Sequence, residues 1–450
     1  MEHTSLLKQR DFRLFWGAQS VSMFGINMGR TAIPLLAAVV LGATPLQMGL
    51  LQAAQTVAYL VVGLPAGALI DRMRRRNILI VSDASRAGFT LLLVALFIFN
   101  WVTFPVLIVL VLVIGVATTF FEIAYQSYIP ALVGREKLMD GNSKLESTNS
   151  ASRMVGPAVG GVLVEVSASL AMAVQTISHA LSAALLLSLR KPEPSPQRTG
   201  ERRMATEIKA GLRLVVGHPL IRAVVGSATT YNLFYSASLP LITLLLVDEL
   251  RLPGTTAGLL LAVGGIGGVA GAAVAGLAAR RLGPVRVTWL SYLLTVPTFL
   301  LAPFAQQGAG LALFAVPWFV LGFGIVVYNV GAVSIRQALC PDHLLGRMNA
   351  SVRFMVWGIM PAGALIGGAL GEVIGVRAAL FVSAAGMLAG GLWLLLSPLR
   401  TMRVLPQPDH PTPSPSAGPA PVSAATASAA PGRNPSGGPA EPAPRQRIDE

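Results

Sequence analysis

Four ionisable residues interrupt long apolar stretches in the first half of the sequence: Asp83, Arg86, Glu122 and Arg153. A charge inside an apolar membrane helix is costly, so it normally pairs with another charge or helps to move ions or protons. At 1.5 Å per residue, the four lie at a similar depth, roughly 9–14 Å from one end of their helices. The sequence therefore predicts one balanced cluster of two acids and two bases, which is either a proton-coupling site or a static salt-bridge network.

Glu122 differs from the other three because aromatic residues stand beside it in the sequence, Phe121 before it and Tyr125 after it. Desolvation beside aromatic rings favours a neutral carboxyl group, whereas a nearby arginine favours the carboxylate. A group balanced between these effects can take up and release a proton. We expect Glu122 to be the proton carrier, and a structural pairing with Arg153 is the alternative.

Two more polar residues occur singly within apolar stretches, Arg30 and His179. Arg30 is expected either to meet an anionic group of a substrate or to extend its guanidinium group towards the lipid surface. His179 is expected to be a hydrogen-bonded packing residue rather than a second proton site.

The composition excludes most soluble classes of protein. Of the 450 residues, 53% are apolar and 12% are charged, whereas typical soluble domains have about 25% charged residues. The net charge is +14, but the basic residues fall between apolar stretches rather than on one soluble face, which argues against nucleic acid as a partner. The single cysteine excludes an internal disulfide, and the histidines have no metal-ligand spacing. No nucleophile–base or nucleotide-binding motif indicates an enzyme or an ATP-driven pump.

Twelve apolar stretches are long enough to cross the roughly 30 Å hydrocarbon layer of a membrane as helices. They form two groups of six on either side of a polar interval, so we predict an all-α polytopic membrane protein. The predicted spans are about 14–40, 46–70, 77–100, 103–128, 145–166, 169–189, 220–247, 254–279, 285–304, 309–335, 347–373 and 376–397.

The same pattern predicts the domain organisation. A six-helix bundle at residues 1–189 and a second at 218–400 are joined by a cytoplasmic linker at 190–217. The basic later part of the linker is expected either to lie on the membrane as an amphipathic helix or to be solvated. Residues 401–450 are rich in Pro, Ala, Ser and Gly. They are expected to form a disordered cytoplasmic tail, because they cannot bury enough apolar surface to fold.

The two halves repeat each other at an offset of about 207–209 residues. The pair Gly160 and Gly161 matches Gly367 and Gly368. Six-helix halves that begin on the same side are related by an axis along the membrane normal, an arrangement found in transporters. A substrate path between the two halves follows from this arrangement.

Two glycine-containing motifs point to a family. The loop after the second span, which contains Gly67, Asp71, Arg72 and Arg75, resembles the G-x-x-x-D-R-x-G-R-R signature of the major facilitator superfamily. This resemblance is fairly specific, since the loop also lies between two predicted spans.

The fifth span carries the second motif, Gly156-Pro157-Ala-Val-Gly160-Gly161. It resembles the G-P-x-x-G-G signature associated with exporters of that superfamily. The stretch 120–133 is similar to the bacterial efflux branch, which includes proteins of the macrolide-efflux and enterobactin-exporter types. The resemblance extends from residue 5 to about residue 400.

The resemblance implies the major facilitator fold, with two six-helix bundles, and a transporter rather than an enzyme. It implies secondary active export of a hydrophobic or amphiphilic small molecule by proton antiport with alternating access. A proton-coupled uptake permease of the same fold is the alternative. The expected energy source is a proton gradient, without a cofactor or metal, and the expected state is a monomer in the lipid bilayer.

The residues of the loop motif themselves predict a latch between conformational states. Asp71 is expected to accept hydrogen bonds from a helix N-terminus and to pair with Arg72 or Arg75, which would hold the cytoplasmic side closed. The arginines also satisfy the rule for membrane topology, so simple anchoring is the alternative. The glycines of the fifth-span motif and the kink at Pro157 are expected to allow close helix packing and to shape the substrate path.

By the same resemblance, helices 1, 4, 7 and 10 line the substrate cavity. Their aromatic and amide side chains combine a large apolar surface with few hydrogen-bonding groups, which suits an amphiphilic organic molecule better than a sugar. The candidate lining residues are Asn27, Arg30, Phe121, Tyr125, Tyr231, Asn232, Tyr235, Tyr328 and Asn329.

Basic residues are distributed unevenly between the two sides of the predicted bundle. One side receives most of them, including the loop at 72–76 and the interval at 190–213, whereas the loops of the other side contain only Arg251 and Arg377. Because Lys and Arg are concentrated in cytoplasmic loops, the sequence predicts a plasma (inner) membrane protein with both termini in the cytoplasm.

Reporter fusions check this topology. Fusions at Gly42, Gly310 or Gly375 are expected to report an external position, and a fusion at Gly200 a cytoplasmic one. A cytoplasmic signal at Gly42 would show that the orientation is wrong.

Overall fold

The chain forms twelve long helices in the computed structural model, which describes residues 6–70, 73–134, 137–190, 193, 212–213, 215–340 and 345–402. No strand occurs within those ranges. The helices of the first half are α1 (Arg10–Val39), α2 (Pro45–Val61, continued by Gly63–Ile70), α3 (Arg75–Ile98), α4 (Phe104–Val133), α5 (Leu138–Val166) and α6 (Ala168–Leu187).

The second half repeats this arrangement with six more helices. They are α7 (Pro219–Leu244), α8 (Gly254–Leu282), α9 (Pro284–Thr295 and a 3-10 segment Val296–Phe304), α10 (Ala312–Leu339), α11 (Leu345–Gly358 and Met360–Ile374) and α12 (Val376–Leu395). The predicted all-α class, with twelve spans in two bundles of six, is confirmed. Each predicted span overlaps one of these helices, and most ends agree within a few residues.

Glycine and proline define several helix ends. α4, α8 and α11 end at Gly134, Gly283 and Gly375, whose φ angles are +77°, +89° and +82°. Glycine adopts this left-handed conformation without the steric cost that other residues incur. α7 and α9 begin with Pro219 and Pro284, where the missing N–H would have had no helical partner.

Three helices are less regular than the hydropathy pattern predicts. α7 ends in a π-helical turn, Leu245–Glu249, and α9 continues as the 3-10 segment that contains Pro297 and Pro303. α11 is interrupted at Ile359, directly before Met360 and Pro361. Prolines remove backbone donors and clash with the preceding turn, so they favour such departures from α-helical geometry.

Nine helices within the described ranges are long and apolar enough to cross a membrane. The other three of the twelve are α1 and α5, which carry more polar residues, and α2, whose regular part has only 17 residues. Large apolar side chains are exposed on the outside of the bundle, for example Val109 and Leu294, at 58% and 68%. Such a surface is suited to lipid rather than to water.

The two halves contact each other mainly through two helix pairs, α5 with α8 and α2 with α11. We call the end of the molecule where α1 begins the terminal end and the other the distal end. Both pairs meet near the distal end, where Gly161 faces Gly258 and Gly49 faces Gly368. A Cβ atom on Gly258 would lie 2.5 Å from the carbonyl oxygen of Pro157. Only small residues allow two helix backbones to approach this closely.

Carboxylates strengthen the same two contacts. Glu165, at the end of α5, accepts a hydrogen bond of 2.8 Å from the backbone N–H of Thr255 in the first turn of α8. Glu372, at the end of α11, accepts one of 3.1 Å from the N–H of Leu46 in the first turn of α2. Each carboxylate therefore caps a helix N-terminus of the opposite half, where the helix dipole favours a negative charge.

Candidate functional site

A cavity of about 640 Å³ lies between the two halves. Side chains from both halves form its wall, and four of them are charged: Arg30, Glu122, Glu146 and Arg153. This volume is typical of sites that hold a drug-sized organic molecule. The cavity is therefore the candidate substrate site.

The charged groups of the cavity wall differ in their partners. A nitrogen of Arg30 lies 3.8 Å from an oxygen of Glu122, which is an ion pair too long for a hydrogen bond. The Glu146 carboxylate lies 3.5 Å from the amide nitrogen of Asn149. Within the described ranges, Arg153 has neither an ion pair nor a side-chain hydrogen bond. One cation thus faces the cavity without a counter-charge of its own.

Aromatic side chains form a second feature of the wall. Tyr235 stacks on Trp318, with ring centroids 6.3 Å apart and planes inclined by 10°. The indole N–H of Trp318 donates to the carbonyl of Leu261 at 3.0 Å, which fixes the orientation of the ring. On α2 and α11, Tyr59 and Trp357 meet edge to face at 5.6 Å. The cavity therefore offers planar apolar surfaces from both halves.

Five of the candidate lining residues line the cavity. They are Asn27, Arg30, Tyr125, Asn232 and Tyr235. Asn27 on α1 and Asn232 on α7 each donate the side-chain amide N–H to a carbonyl four residues earlier in the same helix. Their amide nitrogens are thus used within the helix.

The prediction is wrong for Phe121, Tyr231, Tyr328 and Asn329, which do not line the cavity. Phe121 is buried in the first half, and Tyr231 and Tyr328 are buried in the second. The hydroxyl group of Tyr328 donates to the carbonyl of Val224 at 2.9 Å. Asn329 follows Tyr328 directly, and consecutive side chains of a helix point about 100° apart around its axis. Asn329 is therefore exposed although Tyr328 is buried. Hydropathy places a residue along a helix but does not give the direction it faces.

The single charge cluster predicted for the first half is also wrong, because the four residues form separate groups. Asp83 and Arg86 pair with each other in the interior of the first half, and both are fully buried. Glu122 instead faces Arg30 across the cavity, and Arg153 lies in the cavity wall. Asp83 and Arg86 lie on α3, which packs mainly against α4 and α6, and neither of them lines the cavity.

The Asp83 carboxylate of the buried pair is well supplied with hydrogen bonds, whereas the Nε and Nη1 atoms of Arg86 have no hydrogen-bond partner within the described ranges. Asp83 accepts hydrogen bonds from Ser182 at 2.5 Å and from Ser22 at 3.3 Å. The guanidinium group of Arg86 also lies over the ring of Phe121, 4.1 Å from its centroid. This arrangement links α1, α3, α4 and α6 into one packed unit.

His179 borders this group, but the expectation that it is hydrogen-bonded is not met. Its Nδ1 atom lies 3.7 Å from an oxygen of Asp83. Neither ring nitrogen has a hydrogen-bond partner within the described ranges. The ring is buried and acts as a packing residue.

The predicted latch falls partly outside the described ranges, since Asp71 and Arg72 lie there. Gly67 belongs to the second segment of α2. Arg75 begins α3, and its N–H donates to the carboxylate of Glu193 at 2.9 Å.

Glu193 is a residue that sequence analysis missed. Its side chain is 4% exposed, and its other oxygen accepts from the N–H of Arg76 at 3.1 Å. The guanidinium group of Arg76 in turn donates to the carbonyls of Leu186 and Leu187 at the end of α6. The polar interval after α6 thus supplies the anion at the N-terminus of α3.

The glycines of the fifth-span motif pack against two different helices. A Cβ atom on Gly156 would lie 2.9 Å from Cβ of Asn27, and one on Gly160 would lie 2.8 Å from the carbonyl oxygen of Met28. These two glycines seat α5 against α1, whereas Gly161 seats it against α8. Pro157 lines the cavity between the two contacts.

Several lining residues were not predicted. On α2 they follow a helical spacing, because Gln52, Gln55 and Tyr59 lie three and four residues apart and so share one face. This polar stripe in an apolar helix is a signal that sequence analysis could have used. The other missed lining residues with polar or aromatic side chains include Gln19, Gln126, Glu146, Asn149, Trp318 and Trp357.

A model of the family described as transmembrane secretion effector matches residues 3–418 of the chain. The chain is 27% identical over 425 residues to the MFS-type transporter YfiS of Bacillus subtilis (strain 168), which covers 88% of this chain and 95% of the relative. It is 27% identical to the enterobactin exporter EntS of Shigella flexneri, over 91% of this chain and 97% of the relative. It is 26% identical to the multidrug efflux pump Tap of Mycolicibacterium fortuitum, over 79% and 88%.

Solved structures show the same fold. The nucleoside transporter NupG superposes with a TM-score of 0.71 at 10% identity, over 86% of this chain and 98% of that chain. A bacterial homologue of the iron transporter ferroportin, in an inward-facing state, superposes with a TM-score of 0.70 at 17% identity, over 87% and 99%.

The buried pair of Asp83 and Arg86 is expected to be structural. Asp83→Asn leaves the Arg86 cation uncompensated, which is expected to destabilise the protein by about 3–5 kcal/mol. The measurement is thermal unfolding of the purified protein in detergent.

The matched control is Asp140→Asn, which removes an exposed carboxylate that pairs with Lys144 and is expected to have little effect on stability. Normal thermal stability of Asp83→Asn together with loss of transport would contradict the structural role and assign coupling to Asp83.

Proposed function

The chain belongs to the transmembrane secretion effector family of the major facilitator superfamily, and from that premise we propose proton-driven export of a hydrophobic or amphiphilic small molecule. The family and its efflux-type relatives make the chain a multi-pass membrane transporter of the efflux kind and not an enzyme. The cavity between the two halves carries the rest of the proposal, because it offers aromatic walls and few charges to such a molecule.

In the proposed cycle, the halves at 1–189 and 218–400 move as units around the cavity, and the polar interval between them acts as a linker. The terminal end faces the cytoplasm of a bacterial cell and the distal end faces outwards, in accordance with the distribution of basic residues. The contacts of α5 with α8 and of α2 with α11 then hold the outer side closed. The proposed working unit is a monomer in the lipid bilayer.

Glu122 is the proposed proton carrier. The two acids considered were Asp83 and Glu122, and of these Glu122 is the one that faces the cavity. Its side chain is 17% exposed, and its contact with Arg30 is loose at 3.8 Å. Asp83, in contrast, is fully buried and held by Arg86 and two serines. A carboxylate whose arginine moves away in one conformation binds a proton more strongly there. Proton binding and conformation are then coupled.

Glu122→Gln is expected to abolish uphill efflux driven by a pH gradient, because the glutamine keeps the shape of the side chain but cannot carry a proton. Accumulation of amphiphilic fluorescent dyes in everted membrane vesicles measures this efflux, and membrane abundance should stay normal. Dye accumulation in right-side-out vesicles instead would indicate the uptake permease.

Glu146→Gln is the matched control, because it neutralises the other carboxylate of the cavity wall. It is expected to retain gradient-driven efflux. Full gradient-driven efflux by a well-expressed Glu122→Gln protein would contradict the proposed carrier.

The distal contacts provide a test of alternating access. Glu165→Gln with Glu372→Gln weakens both carboxylate caps, because glutamine does not carry the negative charge that the helix dipole favours there. The equilibrium between the two states is expected to shift towards a molecule open at the distal end. Distances between spin labels at Val40 and Val373, in a protein with Cys340 replaced by serine, measure the two populations.

Glu249→Gln is the control for this shift. Glu249 lies at the same end but pairs with Arg377 of its own half, at 2.5 Å. The Glu249→Gln variant is expected to leave the distances between the spin labels unchanged. A similar shift in Glu249→Gln, or none in the double variant, would contradict a gating role for the two caps.

A further inference from the structure

We infer that the substrate carries an anionic group that Arg153 binds, and that a planar part of the same molecule lies against Tyr235 and Trp318. The inference rests on the proposed export of an amphiphilic molecule and adds the charge of that molecule. It assigns to Arg153 a role in specificity rather than in proton coupling.

The first argument is the unequal pairing of the charges in the cavity. Glu122 faces Arg30, and Glu146 lies beside the amide of Asn149. The Arg153 guanidinium group has neither an ion pair nor a hydrogen bond within the part of the chain that the structure describes. A cation on the cavity wall that has no counter-charge of its own attracts an anionic ligand that comes within a few Å of it.

The second argument is that two buried hydrogen-bond donors in the cavity wall lack an acceptor. The side-chain amide nitrogens of Gln19 and Gln55 are buried and have no hydrogen-bond partner within the described ranges. Both residues line the cavity. Because a buried donor without an acceptor is costly, these groups favour a ligand with oxygen acceptors. Together with Arg153, the wall therefore presents donors that remain to be satisfied.

The third argument is the fixed position of Arg153 at the junction of the two halves. A Cβ atom on Gly265 of α8 would lie 3.0 Å from the carbonyl oxygen of Arg153. The backbone of Arg153 thus rests directly on the opposite half. Pro157, one turn further along α5, lines the same cavity. The arginine is placed to contact a ligand held between the halves, not to reach lipid.

The fourth argument is the aromatic surface beside the two arginines. Arg153, Arg30 and Tyr235 all line this cavity. Tyr235 continues into Trp318 as a nearly parallel stack, with planes inclined by 10°. A planar ring system can lie on this surface while its acidic group reaches the guanidinium fork, which binds carboxylates in a bidentate manner. The ligand class is an aromatic or other planar organic acid.

Two dyes with the same planar xanthene ring and opposite charge test the inference. Fluorescein carries a carboxylate and is anionic at neutral pH, whereas rhodamine 123 is a cationic ester. Binding of each dye to the purified full-length protein in detergent is measured by fluorescence anisotropy. Fluorescein is expected to bind more tightly than rhodamine 123.

Arg153→Gln is expected to weaken fluorescein binding about 10-fold or more, because it removes charge-assisted hydrogen bonds, and to leave rhodamine 123 binding unchanged or stronger. Arg153→Lys keeps the charge without the planar fork, so it is expected to give an intermediate affinity. It also serves as the test variant should Arg153→Gln not be recovered in a folded form.

Arg353→Gln is the matched control. Arg353 lies over the ring of Trp357 at 5.0 Å and donates to Gln126 at 3.3 Å, so it contacts two residues of the cavity wall without lining the cavity itself. Its replacement removes the same charge and is expected to change fluorescein affinity by less than about 2-fold, as is typical of a screened surface charge.

Equal affinity for the two dyes, binding of neither, or fluorescein affinity unchanged in both Arg153 variants would overturn the inference. The proposed function fails separately. Preserved fluorescein binding with no dye accumulation in everted vesicles would refute export and leave the anion site standing.

Discussion

The close approach of glycines from opposite halves is the constraint on which the rest of the structure depends. At Gly161 with Gly258, and at Gly49 with Gly368, one helix backbone rests on another. Side chains do not interlock there, so the contact can form and separate without repacking a core. Because these contacts lie towards one end, the halves enclose a cavity along the rest of their interface. The carboxylates of Glu165 and Glu372 add polar bonds at the same places.

Within this frame, the charges have distinct environments that suit distinct purposes. Asp83 and Arg86 are withdrawn from the cavity and join four helices of the first half into one unit. The proposed alternating access needs rigid halves, since a half that deformed would not transmit movement from one end to the other. Glu122 and Arg153 remain in the cavity wall, where a proton or a ligand can reach them.

Hydropathy was sufficient for the architecture, because a membrane helix must satisfy all its backbone groups internally and must be apolar over a fixed length. The direction that each helix faces was harder to predict. Tyr328 and Asn329 are neighbours in sequence, yet one is buried and the other exposed. Depth alone suggested a single cluster of four charges, whereas the rotation of α3 separates two of them from the cavity. Polar stripes such as Gln52, Gln55 and Tyr59 carry the missing rotational information, because they reveal which face of a helix avoids lipid.

The carboxylate that caps α3 has a consequence for the synthesis of the protein. Glu193 follows Arg75 by 118 positions, so the ribosome completes α3 long before it adds the residue that caps it. At about 5–20 residues per second, this delay is about 6–24 s. During that interval the first amides of α3 must be satisfied by water or lipid headgroups at the membrane surface. The first half therefore reaches its final form only after its sixth helix has been made. If the gene were split into two separately expressed halves, Glu193 would have to stay with the first half.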